Sequence, residues 1–283
     1  MVLEALITPF KAEARPSRLF FLGFVYATVA VFLSLWIFRS YSSLIMVFLA
    51  TMAALPLVYS TMKMEEEKDL ESVEEMWLLK EHAKALSVFM YLFVGMTLAM
   101  AFWYVALPSD TVSVLFQSQS STINSINANA IAGNVYKLDF FGKIFFNNVK
   151  VLIFCILFSF IYGAGSIFIL TWNASVIGAA IGNFVRGNIA SYSYLVGFDK
   201  AAKYLYVVSF GLFKYSIHGI PEILAYFTAG LAGGIISIAV IRHDFGTAKF
   251  EQILLDSADL LLASFAILFV AAILEVYVTP IIF

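Results

Sequence analysis

Of the 283 residues, 62% are hydrophobic and only 13% charged, about half the share in a soluble domain, and the mean hydropathy is +0.92, so the chain belongs in a lipid bilayer. A formal net charge of -2 without a strong basic block excludes nucleic acid as a partner, because phosphate binding needs clustered Lys or Arg. Cys155 is the single cysteine, which excludes an intrachain disulfide and a cysteine-rich metal site.

The N-terminal arm, residues 1–18, carries Glu4, Lys11, Glu13, Arg15 and Arg18 and lacks a short apolar core with a small-residue cleavage site, so it is expected to be kept. A membrane helix needs about 20 mainly apolar residues to cross a hydrocarbon core of about 30 Å. Residues 19–38 form the first such segment and 43–61 the second, with Pro56 as a kink near its far end. Residues 62–84 are rich in Glu and Lys, with Leu70, Val73 and Trp77 at helical spacing, and read as an amphipathic cytoplasmic helix. Such a helix is either a solvated extension of its neighbours or a docking surface for a partner. Residues 85–107 are the third span. Residues 108–142, rich in Ser, Asn and Ala from 118 to 134, are expected to be an extracytoplasmic loop with some disorder. The fourth span is placed at 150–172, followed by a shorter Gly-rich run at 174–185, and 260–282 closes the chain. The expected fold is all-α, a single transmembrane domain of about six to seven hydrophobic segments.

Between them, the apolar stretch 204–241 is interrupted by His218-Gly219-Ile220-Pro221-Glu222, with Lys214 just upstream. A charge at the bilayer centre costs roughly 2.5 to 3.5 kcal/mol on insertion scales, so these residues are the first candidates for a functional site. Gly219 and Pro221 predict a broken helix, with Pro221 and Glu222 in the first turn of the second piece. The first piece, 204–217, would be only about 21 Å long, too short to cross. Lys11, Arg15, Arg18, Lys63, Lys68, Lys80 and Lys84 place the N-terminus and the 62–84 segment in the cytoplasm. Arg186, Lys200 and Lys203 before the broken stretch, with Arg242 and Lys249 after it, predict a hairpin that returns to the same side. Glu275, alone in the last span, joins the polar candidates.

Small residues mark the second half. Gly163 and Gly165, Gly178 and Gly182, and Gly230, Gly233 and Gly234 let helices approach closely in lipid, and also permit self-association. Asn147, Asn148, Asn173 and Asn183 flank this region as supporting hydrogen-bonding residues. Asn147-Asn148 opening an apolar helix, the Gly163 and Gly165 pair, Asn173 followed by Gly178, and above all His218-Gly219-Ile220-Pro221-Glu222 before a Gly-rich helix resemble the stage II sporulation protein M family. The similarity covers roughly 143–283, with Ala174 where the family pattern often has Gly. It implies a polytopic membrane protein whose best-known bacterial relatives act as scaffolds that recruit cell-wall hydrolases during engulfment, while many relatives have no established role.

Three functional classes follow from the residues. The first is a non-enzymatic scaffold with a buried His218 and Glu222 clasp, needing the bilayer and a membrane or peripheral protein partner. The second is an ion or small-solute path through Lys214, His218 and Glu222. An enzyme is the weakest, because no Gly-x-Ser-x-Gly, His-Glu-x-x-His or phosphate loop is present, and one His with one Glu does not make a zinc site. No cofactor and no metal are expected.

Overall fold

The computed structural model describes residues 8–71, 75–131, 137–242 and 246–282. They form α1 (Pro9–Ala14), α2 (Ser17–Ile37), a 3-10 turn (Arg39–Tyr41), α3 (Ser42–Glu71), α4 (Glu75–Ala106), α5 (Ser109–Leu115), α6 (Gln117–Ile131), α7 (Lys137–Tyr162), α8 (Ser166–Ala190), α9 (Gly197–Ile241), α10 (Ala248–Ile273), a π-helical turn (Leu274–Val278) and α11 (Thr279–Ile282). There is no strand among the described residues. Seven helical rods are long and apolar enough to cross a membrane, as composition requires of an all-α polytopic bundle.

Local chemistry sets several boundaries. Pro9 opens α1, where its missing N–H costs nothing, and the Thr247 hydroxyl caps α10 by accepting from the Phe250 N–H at 3.2 Å. Gly163 takes the left-handed conformation (φ 67°) that turns α7 back into α8. That turn lies in the middle of the segment expected to be one span, 150–172. The chain there stays apolar because the turn is packed against Tyr59, so hydropathy alone does not register it.

The C-terminal half of α9 is the centre of the bundle, with Tyr226, Ala229, Leu231, Ala232 and Ile235 all buried. Phe227 receives Phe89 and Phe93 of α4, ring centroids 5.5 and 5.9 Å away. Small residues bring the neighbours in: a Cβ on Gly178 would meet the Thr97 carbonyl of α4 at 2.9 Å, and one on Gly233 the Ile156 carbonyl of α7 at 2.9 Å. The tightest crossing, however, is α2 on α4, through Gly23 and Gly95, which the glycine pattern of the second half does not reveal.

Three further expectations are corrected. Residues 62–84 are not one helix. The first part extends α3 and the last part opens α4, and Nδ1 of His82 lies 2.9 Å from Oε2 of Glu65, whereas 17 residues along one helix would separate them by about 25 Å. Trp77 is exposed on α4, while Leu70 and Val73 carry side chains outside those described. The hairpin end is held by charge: Lys68 Nζ meets Glu13 at 3.0 Å, Glu65 at 2.6 Å and Glu81 at 3.1 Å, and Arg242 meets Glu66 at 2.8 Å and Glu67 at 3.2 Å. Residues 108–142 are mostly helical rather than a loop. Leu115, Phe116 and Gln119 are fully buried, and the Gln119 amide donates to the Ser43 carbonyl and the Ser175 hydroxyl, both at 3.1 Å.

The third correction is the broken helix. From Gly197 to Ile241 α9 is continuous, 45 residues and about 68 Å long, with Pro221 inside it. Proline forfeits one backbone bond, but a full break at that depth would free several more polar groups with no water to satisfy them, so the helix continues through it. The 204–241 stretch is therefore one crossing and no hairpin. Arg186 confirms the geometry: its Nη1 donates to the Tyr104 and Leu107 carbonyls at 3.1 Å and its Nη2 to Ser109 at 2.8 Å, at the end of α4 opposite His82. Arg186 and Arg242 thus mark opposite ends of the bundle, not the same one.

Candidate functional site

Because α9 is helical throughout, Lys214, His218 and Glu222 recur every fourth residue and fall along one face. Tyr226 continues the series. Its phenol, fully buried, donates to Oε1 of Glu222 at 2.8 Å. Nδ1 of His218 lies 3.3 Å from Oγ1 of Thr279, on the last helix. The Thr279 hydroxyl has one proton, and it goes to the Leu274 carbonyl at 3.0 Å, so the imidazole is assigned as the donor through Nδ1–H.

Thr279 thereby closes the π-helical turn that holds Glu275. A turn of this kind adds a residue to the helical repeat and is often found at functional positions. It places Glu275 four residues before Thr279, on the rod that meets α9 at His218. The site that results is a strip of His218, Glu222 and Tyr226 on α9 facing Glu275 and Thr279 on the C-terminal rod.

The remaining candidates separate from it. Lys214 places its ammonium 5.6 Å from the Phe184 ring centre, a cation–π contact with α8. Gly219 opens on the other side of α9, onto a cleft of about 90 Å³ lined by apolar residues of α4, α8 and α9, among them Phe93, Ile177 and Ile223. Pro221 lies within the helix and makes no turn. Asn148 is buried in α7 and Asn147 is exposed. Asn173 donates to the Ile169 carbonyl at 2.9 Å, one turn back, and Asn183 accepts from the Tyr104 hydroxyl at 3.4 Å. Neither Asn173 nor Asn183 bonds to the His218 strip.

Sequence reasoning missed Tyr226 and Thr279. Tyr226 was within reach, being four residues beyond Glu222 on the same face. Thr279 lies 61 residues from His218 and gives no local signal. One bond of the strip joins two helices, His218 to Thr279, and a second, Tyr226 to Glu222, lies within α9. A family model described as stage II sporulation protein M matches residues 89–280, about two thirds of the chain. No curated protein and no solved structure matches it.

Proposed function

Because the chain belongs to the stage II sporulation protein M family, we propose that it is a non-enzymatic scaffold of the cell membrane, which recruits partner proteins and uses the His218 and Glu222 strip to fix its own helix packing. The observation that carries this reading is the pairing within the strip: His218 to Thr279 at 3.3 Å joins the central helix to the last one, and Tyr226 to Glu222 at 2.8 Å, within the central helix, occupies the carboxylate beside it. Polar groups in a membrane that are consumed by such bonds serve packing. The partner is a membrane or peripheral protein, and a second copy of the chain is a further expectation. Lys11, Arg15, Arg18, Lys63, Lys68, Lys80, Lys84 and Arg242 fall at one end of the bundle and support a cytoplasmic N-terminus. With seven crossings, the end of the last rod would then lie outside.

Reconstitution in liposomes tests this against the ion-path reading. A scaffold leaves proton and monovalent-cation flux at the level of empty liposomes, and Glu222→Gln lowers its unfolding temperature. Flux in the wild type that Glu222→Gln and His218→Ala abolish would replace the scaffold by a transporter or channel. A photo-crosslinker at exposed Lys80 should capture one recurring partner in native membranes.

A further inference from the structure

We propose that the outward face of α7 is the docking surface for a transmembrane helix of a partner protein that carries a carboxylate at mid-membrane depth. Asp139, Lys143, Asn147 and Lys150 follow one another at four, four and three residues, so they stand in one row on the helix, and all four are exposed. The groove along this row, about 820 Å³, is lined by α7 alone. Only 22% of the apolar stretch of α7 is buried, the smallest share among the seven rods, against 83% for α9. A Cβ on Gly142, beside the row, would meet nothing within 4 Å, so a second helix has room to approach closely there.

Depth sets this row apart from an ordinary polar surface. Since α8 returns between them, α7 and α9 run in the same direction, and a Cβ on Gly233 of α9 would meet the Ile156 carbonyl of α7 at 2.9 Å. At 1.5 Å per residue, Lys150 lies about 9 Å and Lys143 about 20 Å before Ile156, level with about residue 227 and about residue 220 of α9. That is the level of the cleft where Gly219 and Ile223 meet Phe93, Val94 and Thr97, near the middle of the α4 crossing. Charged side chains at such a depth face the bundle interior, a water-filled cavity or one another. Among the described residues neither lysine nor Asp139 has an ion-pair partner, and the sequence holds no other Asp or Glu between Asp110 and Asp199.

Charge decides which occupant fits. The row carries two ammonium groups and one carboxylate. Two copies related by a twofold axis along the membrane normal would set their α7 helices parallel, with Asp139 of each beside Lys143 of the other. The two Lys150 ammonium groups would then be left as a like-charged couple in hydrocarbon. A lipid phosphate lies at the edge of the core, about 15 Å from its middle, beyond the reach of a lysine stem rooted at the level of Lys150. A carboxylate on the helix of another protein neutralises Lys150, and an amide or hydroxyl one turn away pairs with Asn147. Past Lys150 the same side of α7 turns apolar, with Ile153, Phe154 and Leu157 all exposed, which suits the rest of such a helix. This inference rests on the scaffold reading and names the class of its partner.

The test uses the full chain in liposomes, with a donor dye at Tyr162→Cys, exposed at the far end of α7 and off the row. The probe is a synthetic transmembrane peptide of about 20 leucines with one central Asp, labelled with an acceptor dye and kept too dilute to transfer to itself. Energy transfer is expected several-fold above that to the same peptide with Leu at the centre. Lys143→Met with Lys150→Met, which keeps the stems and removes both charges from an exposed face, should lower it to the all-leucine level. Lys143→Glu with Lys150→Glu should lose the Asp peptide and take up one with a central Lys. The docking surface is overturned by equal transfer to the Asp and all-leucine peptides, by a response that survives the Met pair, or by a charge-reversed chain that ignores the Lys peptide. It is equally overturned by transfer between two copies of the chain, without peptide, that the Met pair abolishes, since the occupant would then be a second copy. Ion flux in the same liposomes would remove the scaffold reading and this inference with it, whereas failed transfer without flux removes only the assignment to α7.

Discussion

Adding a single methyl group at the α2–α4 crossing should unfasten the first half of the bundle. A Cβ on Gly23 falls 2.1 Å from the Leu92 carbonyl oxygen, and one on Gly95 falls 2.0 Å from that of Phe20, where ordinary contact begins at 3.4 Å. Each obstacle is backbone, so neither can rotate aside and the helices must separate by more than an ångström. Overpacking a tight interior costs about 1–3 kcal/mol, and rigid backbone on both sides puts Gly23→Ala and Gly95→Ala near the top, at about 3 kcal/mol each. The two substitutions meet the same interface, so one separation relieves both. The double variant should cost little more than either alone, a coupling of about 1–3 kcal/mol. Equilibrium unfolding in one detergent, read by tryptophan fluorescence, measures the cycle. Gly142→Ala is the control, because a Cβ there meets nothing within 4 Å. A Gly23→Ala shift below about 0.5 kcal/mol, or a strictly additive double variant, would refute the reasoning.

Other expectations concern the polar fastenings. Tyr226→Phe deprives Glu222 of its donor and should cost about 1–3 kcal/mol, more than Glu222→Gln, which keeps an acceptor for the phenol; unfolding measurements in the reverse order would reject the pairing. Thr279→Val preserves shape but removes the bond to Leu274 and the contact with His218, so hydrogen exchange should rise across 274–282 and stay unchanged in α2. Arg186→Ala uncovers the carbonyls of Tyr104 and Leu107, with an expected loss of about 1–3 kcal/mol and faster exchange around 104–112; exchange confined to α8 would show that the guanidinium does not cap α4.

Hydropathy made the apolar rods legible, and the cost of charge in lipid picked out His218, Glu222 and Glu275, which lie on the two helical rods that meet at His218 and Thr279. What stayed hidden has physical causes. The turn at Gly163 is as apolar as the helices it joins, so no change of composition marks it. The 62–84 segment has the same Glu and Lys content whether it is solvated or folded back into the ion pairs of Glu65, Lys68 and His82. Pro221 looked like a break because the rule comes from water, where freed carbonyls find other partners, whereas lipid penalises every further opening. Gly23 and Gly95 stand singly in their helices and form no short-spaced motif, yet they make the closest approach in the molecule among the described glycines.

The length of α9 has a consequence for the surrounding bilayer. A hydrocarbon core of about 30 Å occupies about 20 of its 45 residues, and even a tilt of about 40° takes up only about 26. The surplus at its start is mixed: Asp199, Lys200 and Lys203 stand among the exposed Phe198, Leu205 and Tyr206. With lysines over tyrosine rings there, Lys200 over Tyr204 and Lys203 over Tyr206, the first turns of α9 suit the headgroup layer and extend the rod beyond the hydrocarbon core, whereas the 21-residue α2 just matches it. Aromatic and basic side chains at that level anchor a helix against sliding along its axis, so this end of α9 sets how deep the whole rod, His218 and Glu222 included, sits in the bilayer.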